Sequence, residues 1–253
     1  MNVNATGQPY HEDGRRMTEL YPGLYDAWAR LSGDPDIYVP QWLRGGTPTG
    51  LKTNPQDANI FPKVDQGTAD ADRRPLIFGG ETFVNYTSFE DSEHAPQLLN
   101  ELVESGYIQE FLTMADAERA AGGRLVTSKL ALITTVKDGI LKHRLILDCR
   151  VSGTNDHATK VERVILPSAW DVVHDALMMK GKQRPGDVFK LFVCDFRDAF
   201  FKLPLMDLER EFYVIKHGGK WYLCNRLVQG STNGPSCFCR LSAMAARMSQ
   251  SLF

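Results

Sequence analysis

A two-residue turn, Asp138-Gly139, separates two apolar runs at residues 130–136 and 145–147. Turns of this composition accept the positive φ angles that join two antiparallel strands directly, and they fix which residues face each other. The pattern therefore predicts a β-hairpin, with Lys137 and Arg144 on opposite strands. Any fold for this chain has to contain that hairpin.

Cap signals predict helices on both sides of the hairpin. Thr113 precedes residues 114–121 and Ser168 precedes residues 171–180, and a hydroxyl at this position accepts an unpaired N–H of the first helical turn. We expect the second of these helices to bury one apolar face, made of Val172, Val173, Ala176 and Leu177. Other patterns predict helices within residues 25–31, from Asp34-Pro35 onward, around residues 98–103 and from Asn233 to the end, and strands at residues 188–194, 212–215 and 221–224. Helices and hairpins are mixed rather than strictly alternating, so the predicted fold class is α+β.

Composition indicates one large globular domain or two small ones. The 253 residues are 43% apolar and 24% charged, which is ordinary for a folded protein. Residues 44–95 are rich in Gly, Pro, Asp, Asn and Thr, and order is expected to rise after Pro96. We therefore predict a loop-rich N-terminal extension with short helices over residues 1–95, followed by a more regular unit over residues 96–253.

The sequence also bears on the cellular compartment. No run approaches 18 uncharged apolar residues, and the first 20 residues lack the apolar region of a signal peptide. Five cysteines, an odd number without a C-x-x-C pair, argue against a disulfide framework and against a zinc site of the common spacing. We therefore expect a cytoplasmic or nuclear protein that is not secreted and has no membrane partner.

Charge is distributed unevenly along the chain. Residues 1–120 contain 9 Lys and Arg against 19 Asp and Glu, whereas residues 121–253 contain 20 against 12. The resulting balances of −10 and +8 have two interpretations. They indicate either two differently charged solvated faces or a second half that binds a polyanion such as nucleic acid.

Two segments carry candidate chemistry. Asp195 directly follows the predicted strand at residues 188–194, and a carboxylate at the end of a buried strand is costly unless it is paired or holds a cation. Taken alone, such an aspartate is more often a turn or cap residue than a metal ligand. The Gly/Ser/Asn-rich residues 227–236 lead into a helix, and such a turn either exposes backbone N–H groups to a phosphate or base, or is simply a loop.

Together these segments resemble the reverse transcriptases, the RNA-directed DNA polymerases of retroelements and retroviruses. Three blocks carry the resemblance in the order of that family: residues 136–155 resemble the fingers hairpin, residues 195–205 the first palm block and residues 229–238 the second. The resemblance covers roughly residues 96–253. It implies a right-hand polymerase fold, fingers and palm, that is incomplete in this chain.

The resemblance also implies an activity and a site. The activity is template-directed DNA synthesis by nucleotidyl transfer, with an RNA or DNA template–primer and deoxyribonucleoside triphosphates as partners and two magnesium (or manganese) ions as cofactors. Asp195 would be the catalytic residue and a metal ligand. The residues expected to contact the nucleotide are Lys137, Arg144, Phe196, Phe200 and Gln229. The ring of Phe200 would exclude a 2′-hydroxyl. The alternatives are that Arg144 and Lys137 are solvent-facing hairpin charges and that Phe200 and Phe201 are core aromatics.

One block of the family is missing. The resemblance requires a Tyr-x-Asp-Asp hairpin that completes the metal site, but the chain has no Asp-Asp pair and no acidic residue after Glu211. Asp148 and Asp198 are not expected to converge on an ion held by Asp195. We therefore expect a fragment or truncated product that cannot polymerise alone. The alternatives are a non-catalytic nucleic-acid-binding remnant of such a polymerase and a viral RNA-dependent RNA polymerase, which Phe200 disfavours.

Overall fold

The computed structural model describes residues 18–64, 73–79, 84–188, 193 and 195–251, together with the backbone of residues 2–3 and 9–10. Helices and strands are mixed along the chain, as the predicted class requires. The α-helices are α1 (Pro22–Ser32), α2 (Tyr38–Gly45), α3 (Thr87–Glu90), α4 (Ala95–Glu104), α5 (Met114–Ala121), α6 (Thr154–His157), α7 (Ala169–Gly181) and α8 (Gly234–Gln250). The strands are β1 (Asn2–Val3), β2 (Pro9–Tyr10), β3 (Ile108–Phe111), β4 (Lys129–Lys137), β5 (Ile140–Asp148), β6 (Val214–His217) and β7 (Lys220–Cys224). In the described part of the chain, no helix combines the length and apolar character needed to cross a bilayer.

Caps written in the sequence start α5 and α7. The Thr113 hydroxyl accepts a hydrogen bond from the Asp116 N–H at 3.1 Å, and Gly122 ends α5 in the left-handed conformation. The Ser168 hydroxyl accepts from the Asp171 N–H at 3.4 Å, while the Asp171 carboxylate accepts from the Ser168 N–H at 2.6 Å. This reciprocal pair is a capping box. Both predicted helices are therefore confirmed.

The predicted hairpin is also confirmed. β4 and β5 pair antiparallel along their whole length, with Lys137 opposite Ile140 at the turn end. Asp138 (φ 55°) and Gly139 (φ 75°) form the turn, as a two-residue type I′ connection requires. All residues of β4 beyond Leu132 are exposed. The turn half of the hairpin therefore projects away from the core.

A three-stranded antiparallel sheet has the order β3-β7-β6. β6 and β7 join across Gly218-Gly219 as a second hairpin, close to the strands predicted at residues 212–215 and 221–224. β3 has no counterpart among the predicted strands, and it pairs Ile108 with Cys224 and Phe111 with Trp221. Its four residues give too short a pattern to identify a strand, so only the partner strand defines it.

Two element boundaries differ from their predictions. α2 begins at Tyr38 rather than at Asp34-Pro35, because the Asp36 carboxylate accepts the N–H groups of Tyr38 and Val39 at 3.2 and 3.3 Å. Phe212 ends the 3-10 helix Asp207–Phe212 instead of starting a strand. The strand predicted at residues 188–194 lies mostly outside the described residues.

The predicted burial of α7 is wrong. None of its described residues is buried, and Val172, Val173 and Leu177 are 52%, 46% and 64% exposed. Capping a helix requires only neighbouring residues, whereas burying a face requires a second surface that the pattern of one helix cannot identify.

The two N-terminal helices pack against the C-terminal one. Tyr25 of α1 and Trp42 of α2 belong to the same buried cluster as Leu241 and Met244 of α8. Leu227 belongs to the same cluster. It is the first of the Gly/Ser/Asn-rich residues 227–236, called the Gly-rich turn below. Residues 18–64, called the N-terminal segment below, therefore share a core with α8, although their sequence is typical of a loop-rich extension.

A buried carboxylate joins the N-terminal segment to the chain before β6. Glu209 is fully buried, and it accepts hydrogen bonds from the N–H and hydroxyl groups of Thr49 at 2.6 and 2.5 Å. Its other oxygen accepts from the N–H groups of Lys52 and Thr53 at 2.9 Å and of Leu51 at 3.3 Å. A carboxylate in the core is costly unless it is hydrogen-bonded. Residues 49–53 supply that bonding and are thereby fixed in place.

Arg240 of α8 lies in a buried clamp. Its guanidinium donates to both oxygens of Asp36 at 2.7 and 2.6 Å and to the carbonyl of Gln56. The Glu162 Oε2 atom lies 3.6 Å from Nη1 of Arg240, and the centroid of the Trp42 ring lies 4.2 Å from the guanidinium carbon. The side chains of Arg240 and Asp36 are 1% and 0% exposed. The clamp therefore binds the N-terminal segment to α8 by charge as well as by apolar packing.

Arg240→Met should lower the free energy of unfolding by about 3–5 kcal/mol, because it leaves Asp36 buried without its partner. Arg30→Met is the control, since it removes a 2.9 Å ion pair with Asp26 in which the arginine is 72% exposed. That control should cost less than about 1 kcal/mol. Urea unfolding of both variants measures the difference, and losses of the same size would contradict the assignment of the clamp as a main support.

Candidate functional site

An open cleft of about 930 Å³ lies between the hairpin, α4 and the chain that follows residue 195. Five of the six predicted site residues line it: Arg144, Asp195, Phe196, Phe200 and Gln229. Lys137, the sixth, lies at the turn end of β4 and is not part of the lining. The fold thus gathers residues from three separate sequence blocks, and their roles stay predictions.

The register of the hairpin explains the different positions of the two predicted cations. Arg144 pairs with Ile133, and Lys137 pairs with Ile140. Ile140 and Arg144 are four residues apart on β5, so their side chains lie on the same face of the hairpin, and Lys137 shares that face because it lies opposite Ile140. Arg144 and Lys137 are therefore separated by roughly 13 Å along the strand. Both are exposed. Arg144 lines the cleft, whereas Lys137 would have to approach from the projecting turn.

The segment after Asp195 turns sharply into the cleft. Asp195 is exposed, and Asp198 occupies the left-handed region at φ 54° with its carboxylate 3.5 Å from the Arg197 guanidinium. The chain then forms the 3-10 helix Ala199–Lys202, which carries Phe200. Few non-glycine residues adopt this backbone conformation. The turn at Asp198 places the 3-10 helix beside the cleft.

The other end of this 3-10 helix is held by the N-terminal segment. The Thr18 hydroxyl donates to the Lys202 carbonyl at 2.8 Å, and the Lys202 ammonium is hydrogen-bonded to Glu19. The hydrogen bond and charge of Lys202 hold the pKa of Glu19 below its usual value despite partial burial. Residues 18–19 therefore help to place the segment that carries Phe200.

Tyr107 also lines the cleft, although it is not one of the residues predicted from the sequence. Its ring stacks on Phe201 with a centroid distance of 4.5 Å and an interplanar angle of 19°. Burial and the charge of Glu19 raise the pKa of Tyr107 to about 12, so its hydroxyl is protonated at neutral pH. Phe201 is half-buried and lines the cleft with Tyr107, so it is not the plain core aromatic of the alternative interpretation. No motif marks Tyr107, because it comes from the chain between α4 and β3.

The Gly-rich turn is fastened to the hairpin. The Leu147 N–H donates to the carbonyl of Gln229 at 3.0 Å. Asn155 donates to the Gly230 carbonyl and accepts from the Thr232 N–H, both at 2.9 Å. Gly230 has φ 115°, and a Cβ there would lie 1.9 Å from the Leu147 carbonyl oxygen. These contacts fix the backbone of Gln229 while its side chain lines the cleft.

Asp148 is committed to the base of the hairpin. The Tyr86 hydroxyl donates to it at 2.5 Å, and the N–H groups of Arg150 and Val151 donate at 3.1 Å. Burial raises the pKa of Asp148, but these hydrogen bonds lower it by more than burial raises it. The pKa of Asp148 therefore lies below its ordinary value. Asp148 therefore has local partners of its own at the base of the hairpin.

The described residues do not by themselves form a metal centre. Within the described ranges, no group of three or more His, Cys, Asp or Glu side chains is placed to hold an ion. Three of the described carboxylates line the cleft, but Asp198 is paired with Arg197 and Glu101 accepts a hydrogen bond from the Gln97 amide at 2.9 Å. Among the described residues, Asp195 is therefore the cleft carboxylate that is left for a cation brought by a ligand.

Comparisons with known proteins give matches among solved structures but not among family models or curated proteins. A solved structure of the foamy viral protease-reverse transcriptase dRH in complex with double-stranded DNA aligns at 15% identity and a TM-score of 0.40, over 88% of this chain and 32% of the other. A second structure, of the foamy viral protease-reverse transcriptase in complex with double-stranded DNA, aligns at 16% identity and a TM-score of 0.37, over 87% of this chain and 37% of the other. The present chain spans about a third of the length of these solved chains. At these values the similarity decides neither family nor function.

Gly230→Ala should be markedly more destabilising than an alanine at another positive-φ glycine. The new Cβ would meet the Leu147 carbonyl at 1.9 Å, so the turn would have to move off the hairpin. Gly219→Ala is the control, because φ there is 75° and nothing lies within 4 Å of an added Cβ. The control should cost about 1 kcal/mol and Gly230→Ala at least about 1–2 kcal/mol more. Equal losses in urea unfolding would show that turn and hairpin separate without cost.

Proposed function

We propose that this chain is the fingers and part of the palm of an RNA-directed DNA polymerase of a retroelement, with an RNA or DNA template–primer and deoxyribonucleoside triphosphates as ligands. The observation that carries the proposal is the cleft, which gathers five of the six residues predicted from three sequence blocks. They offer a guanidinium, a carboxylate, an amide and aromatic rings. These groups match the phosphates, the metal ion, the base and the sugar of a nucleotide.

The triphosphate would bind at the hairpin wall. Arg144 lines the cleft beside Lys142 and His143, and a guanidinium can contact two phosphate oxygens at once. Gln229 forms the neighbouring wall, where its backbone is fixed by Leu147 and its amide can contact the nucleotide. Lys137 would add its point charge from the turn of the hairpin.

Phe200 would select the sugar. Its ring is half-buried against the core and also lines the cleft. A ring under the sugar leaves no room for a 2′-hydroxyl, the group that distinguishes ribonucleotides from deoxyribonucleotides. This position supports a DNA polymerase over an RNA polymerase.

We propose magnesium or manganese as the cofactor, with Asp195 as one ligand. Magnesium is commonly held by one or two carboxylates together with substrate phosphates, and when bound it supplies charge stabilisation for phosphoryl transfer. Asp195 would orient the ion that accompanies the triphosphate. A complete two-ion centre would need another carboxylate besides those that the described residues bring to the cleft.

A non-catalytic nucleic-acid-binding role is the second candidate. It is favoured by the lack of a ready metal-binding group among the described residues. The excess of basic residues after residue 120 would bind a duplex in either case. The two candidates differ in whether the cleft responds to a nucleotide.

Binding of a primed template distinguishes them. The full chain should bind a fluorescent DNA primer on an RNA template, with affinity falling steeply as salt rises. When cytosine is the next template base, dGTP with magnesium should tighten the complex and dATP should not. Arg144→Ala should weaken this dGTP effect about tenfold or more. Arg119→Ala should leave it unchanged, because Arg119 is an exposed residue of α5 paired with Asp116.

Fluorescence anisotropy of the labelled primer measures both duplex binding and the effect of dGTP, and its outcomes separate the candidates. Duplex binding without a response to dGTP would contradict the polymerase proposal and support the non-catalytic one. No duplex binding at low salt would contradict both.

Residues 1–253 alone should not extend the primer, because one carboxylate holds magnesium weakly. Asp195→Asn should nonetheless remove most of the magnesium dependence of dGTP binding. Asp198→Asn is the matched control, since Asp198 lines the same cleft but is paired with Arg197, and it should change that dependence little. Primer extension by this chain, or equal effects of the two variants, would contradict the assigned role of Asp195.

A further inference from the structure

The ring of Phe200 has a packed side and an open side. It packs against the cluster that contains Leu203, Leu227 and Cys237, and it also lines the cleft. Whatever supports the packed side therefore decides how far the ring reaches into the cleft.

The first residue of α8 lies directly against this ring. A Cβ built on Gly234 would lie 3.1 Å from Cε1 and 3.4 Å from Cδ1 of Phe200. Gly234 is buried and its φ is not positive. Backbone conformation therefore does not demand glycine there, but an added Cβ would require the Phe200 ring to move by a few tenths of an ångström.

A second residue of α8 supports the same ring. The centroid of Phe238 lies 5.8 Å from that of Phe200 at an angle of 38°. It also lies 5.6 Å from that of Phe196 in an edge-on arrangement of 89°. Aromatic pairs at such distances attract each other beyond their burial. Phe238 therefore holds both cleft phenylalanines against α8.

We infer that Gly234 and Phe238 are positioning residues that set the depth of the Phe200 ring and thereby the preference of the cleft for deoxyribonucleotides over ribonucleotides. The inference rests on the proposed function, because it concerns the sugar-selecting role of Phe200. Neither residue needs to touch the nucleotide. Each acts through the ring, and neither is among the residues that line the cleft.

The two residues should act in opposite directions. Gly234→Ala pushes the ring away from α8, and the open side is the cleft, so the space for a 2′-hydroxyl shrinks. Phe238→Leu keeps an apolar side chain but removes the aromatic contact, so the ring can retreat and that space grows. A general loosening of the fold would change the affinities for dGTP and GTP together and leave their ratio unchanged.

The test measures dissociation constants of dGTP and GTP for the full chain with magnesium and a primed template whose next base is cytosine. The ratio of the GTP constant to the dGTP constant should rise about threefold or more in Gly234→Ala and fall by a similar factor in Phe238→Leu. Gly23→Ala is the control, since it adds a Cβ in the first turn of α1 with nothing within 4 Å. In a Phe200→Ala background, Gly234→Ala should no longer change the ratio.

The possible failures are distinguishable. If the wild-type chain does not prefer dGTP, or if Phe200→Ala leaves the preference intact, the sugar-selecting role of Phe200 and this inference fall together. If the preference depends on Phe200 but neither Gly234→Ala nor Phe238→Leu changes the ratio, this inference alone is overturned. If Gly234→Ala does not fold, Phe238→Leu decides the question by itself.

Discussion

The carboxylate of Glu209 is the contact on which the rest of the structure depends. It is buried, and the donors that make its burial tolerable come from residues 49–53, far away in the sequence. A buried acceptor with no donors would cost several kcal/mol, roughly the whole stability margin of many domains. The N-terminal segment therefore has to lie where Glu209 is, and the 3-10 helix before β6 has to lie where the segment is.

The cleft also depends on hydrogen bonds between segments that are far apart in the sequence. Its walls are held by hydrogen bonds to backbone groups of the site segments: from the Leu147 N–H to Gln229, from the Asn155 side chain to both sides of the Gly-rich turn, and from the Thr18 hydroxyl to Lys202. Each of these bonds joins a candidate site segment to a part of the chain with a structural role. The side chains that line the cleft are thus fixed by contacts made behind them.

Local chemistry was predictable from the sequence, whereas distant pairing was not. Asp138-Gly139, Thr113 and Ser168 act on residues within a few positions, so the turn and the two helix starts were predicted. The exposure of α7 and the existence of β3 depend on distant surfaces, and no local pattern contains that information.

The candidate site divides in the same way. Arg144, Asp195, Phe200 and Gln229 belong to recognisable blocks, so they could be named in advance. Tyr107 belongs to none, and only packing brings it to the cleft. The supports of the cleft in residues 18–64 were equally hidden, because a loop-rich composition does not reveal what a loop binds.

The buried pair of Asp36 and Arg240 spans 204 positions of the chain, and this separation affects how the protein is made. During synthesis α1 and α2 leave the ribosome long before α8 exists, so Trp42 and Val39 have no surface to cover them in the meantime. Contacts this distant form late and slow folding. For that interval the segment is open to chaperones and proteases, and α1 and α2 are covered only once α8 has been made.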